Sequence, residues 1–288
     1  MEKEDPTKKD WGLKPLHDKM LQVLTYIHDF CVSNNIDYCL AYGSALGAVR
    51  HNGFIPWDDD VDIYMTANSY IKFKTLFKEK GNHDLFYLQE LGYYGDKVNF
   101  SKIRMNGTAF IEPNTREYDI HHGIYIDIFI LHNSDGVPAH VKRMVLAGKY
   151  LTIKRLSNIH YNRRFFYRPI LTFLRLFPYD FLRKQALDIL YKYDKQDTKY
   201  FFEPEFQSEV EIWDKSIIFP AVCHQFEGVS LMIPAKSNQY LTMYYGDYMT
   251  IPSIPEIEWS HHSSEWYTDK DFKDILKRNF SYKDEIIC

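Results

Sequence analysis

The chain has 288 residues, 45% of them hydrophobic and 26% charged, with a formal net charge of −4. That suits one large domain, or a domain with an appendage, and it speaks against general nucleic-acid binding, which needs a basic face. Met1–Pro6 lacks the apolar stretch of a secretory signal, no apolar run approaches the roughly 18 residues that span a bilayer, and the four scattered cysteines form neither a zinc knuckle nor a disulfide framework, so a cytoplasmic protein with reduced thiols is expected.

Leu16, Met20, Val23, Leu24, Ile27 and Cys31 recur at helical spacing and predict an amphipathic helix over 14–34. Tyr38–Tyr42 reads as a buried strand, punctuated by Gly43-Ser44, with a short helix over 45–50. The loop 51–57 leads to a second strand, 60–65, and a helix over 67–80 follows. Short strands are predicted at 85–90, 98–105 and 108–111, then a nearly all-apolar one at 124–130 that carries Asp127. From Pro138 to about Tyr200 the pattern is helical and basic, broken at Pro169 and Pro178. The last third mixes short strands with a helix around 237–245 and ends in a tail punctuated by Pro252 and Pro255. This order reads as an α+β fold: a first core part over 1–137, a helical insertion or appendage over 138–210, and a C-terminal part over 211–288 that completes the core.

The chemistry concentrates at Trp57-Asp58-Asp59-Asp60-Val61-Asp62-Ile63. In an extended segment alternate side chains share a face, so Asp58, Asp60 and Asp62 are expected to point one way and Asp59 the other. Two unit charges about 4 Å apart repel by about 1 kcal/mol in water and about 4 kcal/mol near a protein surface. Clustered carboxylates therefore take up protons or hold a cation. Asp127, alone in an apolar strand, likewise needs a cation, a donor or a proton. A calcium loop of the EF-hand kind is excluded, because Ile63 and Ser69 stand where that loop needs glycine and glutamate. Gly43-Ser44 permits a tight turn into a helix whose first N–H groups can meet a phosphate.

A Gly-Ser turn, an Asp-x-Asp strand and a third acid on a later strand together resemble the nucleotidyltransferase fold: a mixed sheet core with flanking helices. The run from Tyr42 to Asp62, YGSALGAVRHNGFIPWDDDVD, closely resembles the signature of the LicD family. That family contains bacterial phosphocholine transferases and is related to fukutin and fukutin-related protein. Lys102-Ile103-Arg104, His122–Phe129 and Tyr245–Met249 are similar to further pieces of it. The resemblance covers roughly 15–130 and 215–265, and the region 138–210 carries none of it.

The resemblance implies a metal-dependent transferase that moves a phospho-alcohol, phosphocholine first, from a CDP-linked donor such as CDP-choline. The acceptor is a hydroxyl of a cell-surface glycan (lipopolysaccharide, capsule or teichoic acid) or its lipid-linked precursor, and CMP leaves. The alternative is nucleotidyl transfer to a small molecule or sugar with pyrophosphate release. Asp60, Asp62 and Asp127 are the expected catalytic residues. With Asp58 they are the expected ligands of Mg²⁺ or Mn²⁺, and Asp127 can instead serve as base. Gly43, Ser44, Arg50, His51, Lys102 and Arg104 are the expected donor-binding residues. His261 and His262 are further candidates. Tyr42, Trp57, Tyr64 and Trp259 lie near the motifs, and aromatic faces bind quaternary ammonium groups. The basic, apolar stretch 163–177 can meet an anionic membrane from the cytoplasmic side.

Overall fold

The computed structural model describes residues 5–90, 101–112, 116, 120–158, 179–204, 212–260, 265–272, 274 and 275. His261, His262 and the stretch 163–177 lie outside them, as does the side chain of Trp259.

Helix α1 (Lys14–Ser33) has proline in its first turn, where the missing N–H costs nothing. Its predicted stripe, from Leu16 to Cys31, is fully buried. Strand β1 (Tyr38–Leu40) follows, then α2 (Tyr42–His51), β2 (Asp62–Thr66) and α3 (Ala67–Lys80). The Thr66 hydroxyl caps α3 by accepting from the Ser69 N–H. Strands β3 (Phe86–Gln89), β4 (Ser101–Met105), β5 (Ala109–Ile111) and the long β6 (Tyr125–Ser134) come next. Nine of the ten β6 residues are buried, as a central strand covered on both faces requires.

The main sheet has the order β1-β2-β6-β4-β3 and is mixed: β2 and β6 are parallel, while the other pairs are antiparallel. Beyond β6 come α4 (Pro138–Asn158), α5 (Tyr179–Leu190) and a 3-10 turn over Tyr191–Tyr193. Helices α4 and α5 pack on one another around Met144, Ala147, Ala186 and Leu190. Strand β7 (Tyr200–Phe202) extends the sheet along the far end of β6, and β8 (Ile212–Asp214) pairs with β7. A short helix α6 (Lys215–Ile218), the β9–β10 hairpin (Val222–Phe226, Val229–Ile233), α7 (Ser237–Tyr245), α8 (Ile254–Ser260) and β11 (Glu265–Tyr267) complete the described chain. No described helix is long and apolar enough to cross a membrane.

Three local expectations change. The strand expected through Tyr42 stops at Leu40, because α2 already begins at Tyr42. The strand expected from Asp60 begins at Asp62. Asp58 instead closes a turn, with its N–H donating to the Ile55 carbonyl at 3.0 Å. The tail through Pro255 contains a helix, which tolerates the proline because it falls in the first turn.

Candidate functional site

The site grows from the register of the sheet. Asp62 on β2 lies beside Asp127 on β6, Asp127 beside Lys102 on β4, and Lys102 beside Gln89 on β3. Paired residues share a face, so these four form one transverse polar row. The next row on that face contains Tyr125, Arg104 and Tyr87. The opposite face carries Ile63, Ile128 and Ile103, the apolar side of the same alternation.

Asp62 and Asp127 are both buried. Burial pushes the Asp62 carboxyl well above the usual carboxylate range, and Asp60, Asp127 and Asp58 push it further while Lys102 pulls it back. Burial drives the Asp58 carboxyl in the same direction, followed by Asp60 and Asp59. The Asp127 carboxyl is pushed up to about 7 by burial, against the pull of Lys102. The Lys102 ammonium sits 2.9 Å from Asp127 Oδ1, 3.8 Å from Glu112 Oε1 and 3.3 Å from the Tyr125 ring centre. Asp60 thus acts on Asp58, Asp62 and Asp127 alike, and Lys102 pulls against it at Asp62 and Asp127. Oxygen donors of this kind suit a hard divalent cation. Among the described residues no three His, Cys, Asp or Glu side chains converge as a ready metal-holding group, so the acids crowd together without sharing a vertex.

The loop that carries Asp58 is braced from outside. His17 Nε2 donates to the Asp58 carbonyl at 2.7 Å, and its ring stacks on Phe54. The β9–β10 hairpin turns through Glu227 and Gly228, both with positive φ, as a two-residue hairpin turn requires. Glu227 then grips the loop: its N–H donates to the Asn52 carbonyl, and its carboxylate accepts from the Phe54 N–H.

Gly43 and Ser44 lie in the first turn of α2. A Cβ on Gly43 would stand 2.7 Å from Asp58 Oδ2, so the glycine leaves the seat that Asp58 occupies. An acidic group at that helix end is favoured by the dipole. The Ser44 hydroxyl accepts from the Asp62 N–H at 2.9 Å and so fixes the start of β2. Ahead of them Tyr42 has a φ of +42°, a left-handed conformation that a bulky residue adopts at a cost of about 1–3 kcal/mol. Its N–H donates to the Tyr240 hydroxyl at 2.9 Å, and its own hydroxyl donates to the buried carboxylate of Glu203. Its ring meets Tyr64, Phe129 and Tyr244 edge-on. Tyr42 and Tyr64 are thereby packed into the core rather than open to a ligand.

The remaining expected donor contacts are placed as follows. Arg50 donates through Nη1 to the carbonyls of Tyr248 and Thr250, at 2.9 and 3.4 Å, and through Nε to His51 Nε2. The His51 imidazole is pushed down to about 4 by burial and by Arg50. Arg104 is fully buried, bonded to Gln89 Oε1 and the Gly123 carbonyl, and lies 3.8 Å from Glu112. Lys102 and Arg104 therefore engage protein groups behind the acids. Sequence reasoning missed His17, Glu112, Glu203 and Tyr245. The Tyr245 hydroxyl is pushed up by burial and by the nearby Asp62, Asp58 and Asp60, although the residue is 42% exposed overall. Its signal was its place at the head of the Tyr245–Met249 piece; the other three gave none.

Residues 35–151 match the family model described as LicD/FKTN/FKRP, nucleotidyltransferase domain. Over 263 residues the chain is 31% identical to the lipopolysaccharide cholinephosphotransferase LicD of Haemophilus influenzae, covering 86% of this chain and 94% of that protein. The chain belongs to the LicD family. It is also similar, over shorter stretches, to uncharacterized proteins of two rickettsiae. The Rickettsia typhi protein is 33% identical across 29% of this chain and 24% of its own length, and the Rickettsia prowazekii protein 31% identical across 39% and 33%. The match to a LicD family model spans both Asp62 and Asp127 and ends inside α4, whereas Glu203, Tyr240 and Tyr245 lie beyond it.

Proposed function

We propose that this LicD-family protein transfers a phospho-alcohol, phosphocholine first among the candidates, from a CDP-linked donor to a hydroxyl of a cell-surface glycan or its lipid-linked precursor, releasing CMP. The observation that carries the reading is the buried row Asp62–Asp127–Lys102, set in a chain similar along most of its length to a lipopolysaccharide cholinephosphotransferase.

Asp58, Asp60 and Asp62 would hold a divalent cation, Mg²⁺ or Mn²⁺; their mutual repulsion and oxygen chemistry fit one. When bound, that ion supplies charge neutralisation for the donor's phosphates. Phosphoryl transfer asks a protein mainly to position the groups and neutralise developing charge, and the chain itself contributes position and a proton acceptor. Ser44 sets the backbone of Asp62, His17 sets that of Asp58, and Lys102 orients Asp127. Asp127, so held, takes the proton of the attacking hydroxyl on its carboxylate. Arg50 fixes the turn after α7 and with it Tyr245 at the mouth of the acids.

The test incubates the protein with lipopolysaccharide and, in turn, CDP-choline, CDP-ethanolamine, CDP-glycerol and CDP-ribitol, with Mg²⁺ or with EDTA. CMP release from one donor, lost in EDTA, is the expected result. Pyrophosphate release from CTP without CMP from any donor would replace this reading with nucleotidyl transfer, and full activity in EDTA would remove the cation.

A further inference from the structure

Helices α4 and α5 make a charge contrast with the rest of the chain. By sequence α4 carries five Lys or Arg and no Asp or Glu, and α5 carries two of each sign. The sequence that joins them adds four arginines and no acid, in a protein whose net charge is −4. The outward faces interleave this charge with large apolar groups. On α4, Lys142, Leu146 and Lys149 are exposed at helical spacing, Leu146 by 57%. On α5, Phe181 is 60% and Ile189 37% exposed, with Lys184 one turn from Phe181 and the exposed Asp188 next to Ile189. Between the helices runs a groove of about 270 Å³ whose lining includes Arg143, Leu146, Leu182 and Ile189.

We propose that the outer face of the α4–α5 pair docks on an anionic phospholipid bilayer, inserting Leu146, Phe181 and Ile189 while its lysines and arginines face the headgroups. Exposed side chains of that size are costly in water and gain by entering the acyl boundary. Each Lys or Arg near an anionic surface strengthens partitioning by about fivefold. A nucleic acid would use the cations but leave Phe181 and Leu146 without a partner. The face stands at the end of β6 away from the acids: Asp127 and Ser134 are seven residues apart, about 23 Å along the strand. The inference concerns attachment and holds whichever group the acids transfer.

The test is co-sedimentation of the full chain with vesicles of phosphatidylcholine alone and with vesicles of phosphatidylcholine and phosphatidylglycerol, whose surface is negative. Leu146→Asp/Phe181→Asp and Lys142→Glu/Lys149→Glu are compared with the wild type, each checked for an unchanged melting temperature. The proposal expects binding to the anionic vesicles that weakens with salt, and at least a tenfold loss in both variants at unchanged melting temperature. Equal binding to both vesicle types, or variants that bind as the wild type does, would overturn it. Concentration-dependent dimerisation abolished by Leu146→Asp/Phe181→Asp, without vesicle binding, would assign the face to a second copy of the chain instead.

Discussion

Gly43→Ala separates the seat of Asp58 from the stability of the fold. A new Cβ would lie 2.7 Å from Asp58 Oδ2, closer than real Cβ atoms come to another heavy atom. The neighbour that must give is the end of one side chain, because the backbone of Asp58 is held by the Ile55 carbonyl and by His17. Pushing that carboxyl off its rotamer costs about 0.5–1.5 kcal/mol, while alanine in place of a helical glycine returns about 0.5–1 kcal/mol. The two nearly cancel, so the melting temperature should stay within about 4 °C of wild type. Activity should respond differently, since a misplacement of about 1 Å in a reacting group costs about 100-fold. The assay pairs a thermal melt with kcat/KM for CMP release. Gly47→Ala serves as contrast: its Cβ would meet the Gly53 carbonyl at 2.5 Å, backbone that cannot step aside, so stability should fall as well. A Gly43→Ala protein with wild-type kcat/KM would refute the reasoning that the Asp58 seat serves the reaction.

Asp127→Asn should lower kcat by two or more orders of magnitude, as loss of a general base does; an intact kcat with a lowered melting temperature would make Asp127 a core residue only. Lys102→Met should destabilise by about 3–5 kcal/mol in chemical denaturation, because Asp127 and Glu112 lose a buried cation, and adding Asp127→Asn should recover part of that; no recovery would mean that the two do not act as a pair. His51 predicts a pH effect. Its folded pKa lies near 4, below the ordinary value of 6.5, so its contribution is present above about pH 6.5 and is lost as pH falls through 4. His51→Asn should flatten that part of the melting-temperature profile, and an unchanged slope would show that other groups set it.

Periodicity was enough for the elements whose partners are local. The α1 stripe and the apolar run of β6 need no knowledge of the rest of the chain. The LicD signature likewise located the acids. The start of α2 was not legible, because Tyr42 adopts its conformation through groups on α7 and beyond β7, some 160 to 200 positions away. The strand expected from Asp60 starts only at Asp62 for a related reason: His17 and Glu227, remote in sequence, brace the loop before it. Alternation along β4 puts Lys102 and Arg104 on one face, but it does not reveal what covers that face. Both turned out to be buried against Asp127, Gln89 and Glu112.

The bracing of Tyr42 also orders events during synthesis. A ribosome delivers the acids, their loop and β6 early, yet Glu203 and Tyr240, which hold Tyr42 in its unfavourable conformation, emerge much later. The Tyr248 and Thr250 carbonyls that take up Arg50 come later still. An emerging chain therefore displays its carboxylates well before the turn beside them is set. For the same reason residues 35–151 are not a transplantable module: excised, they would carry the signature and lose the groups that tension it.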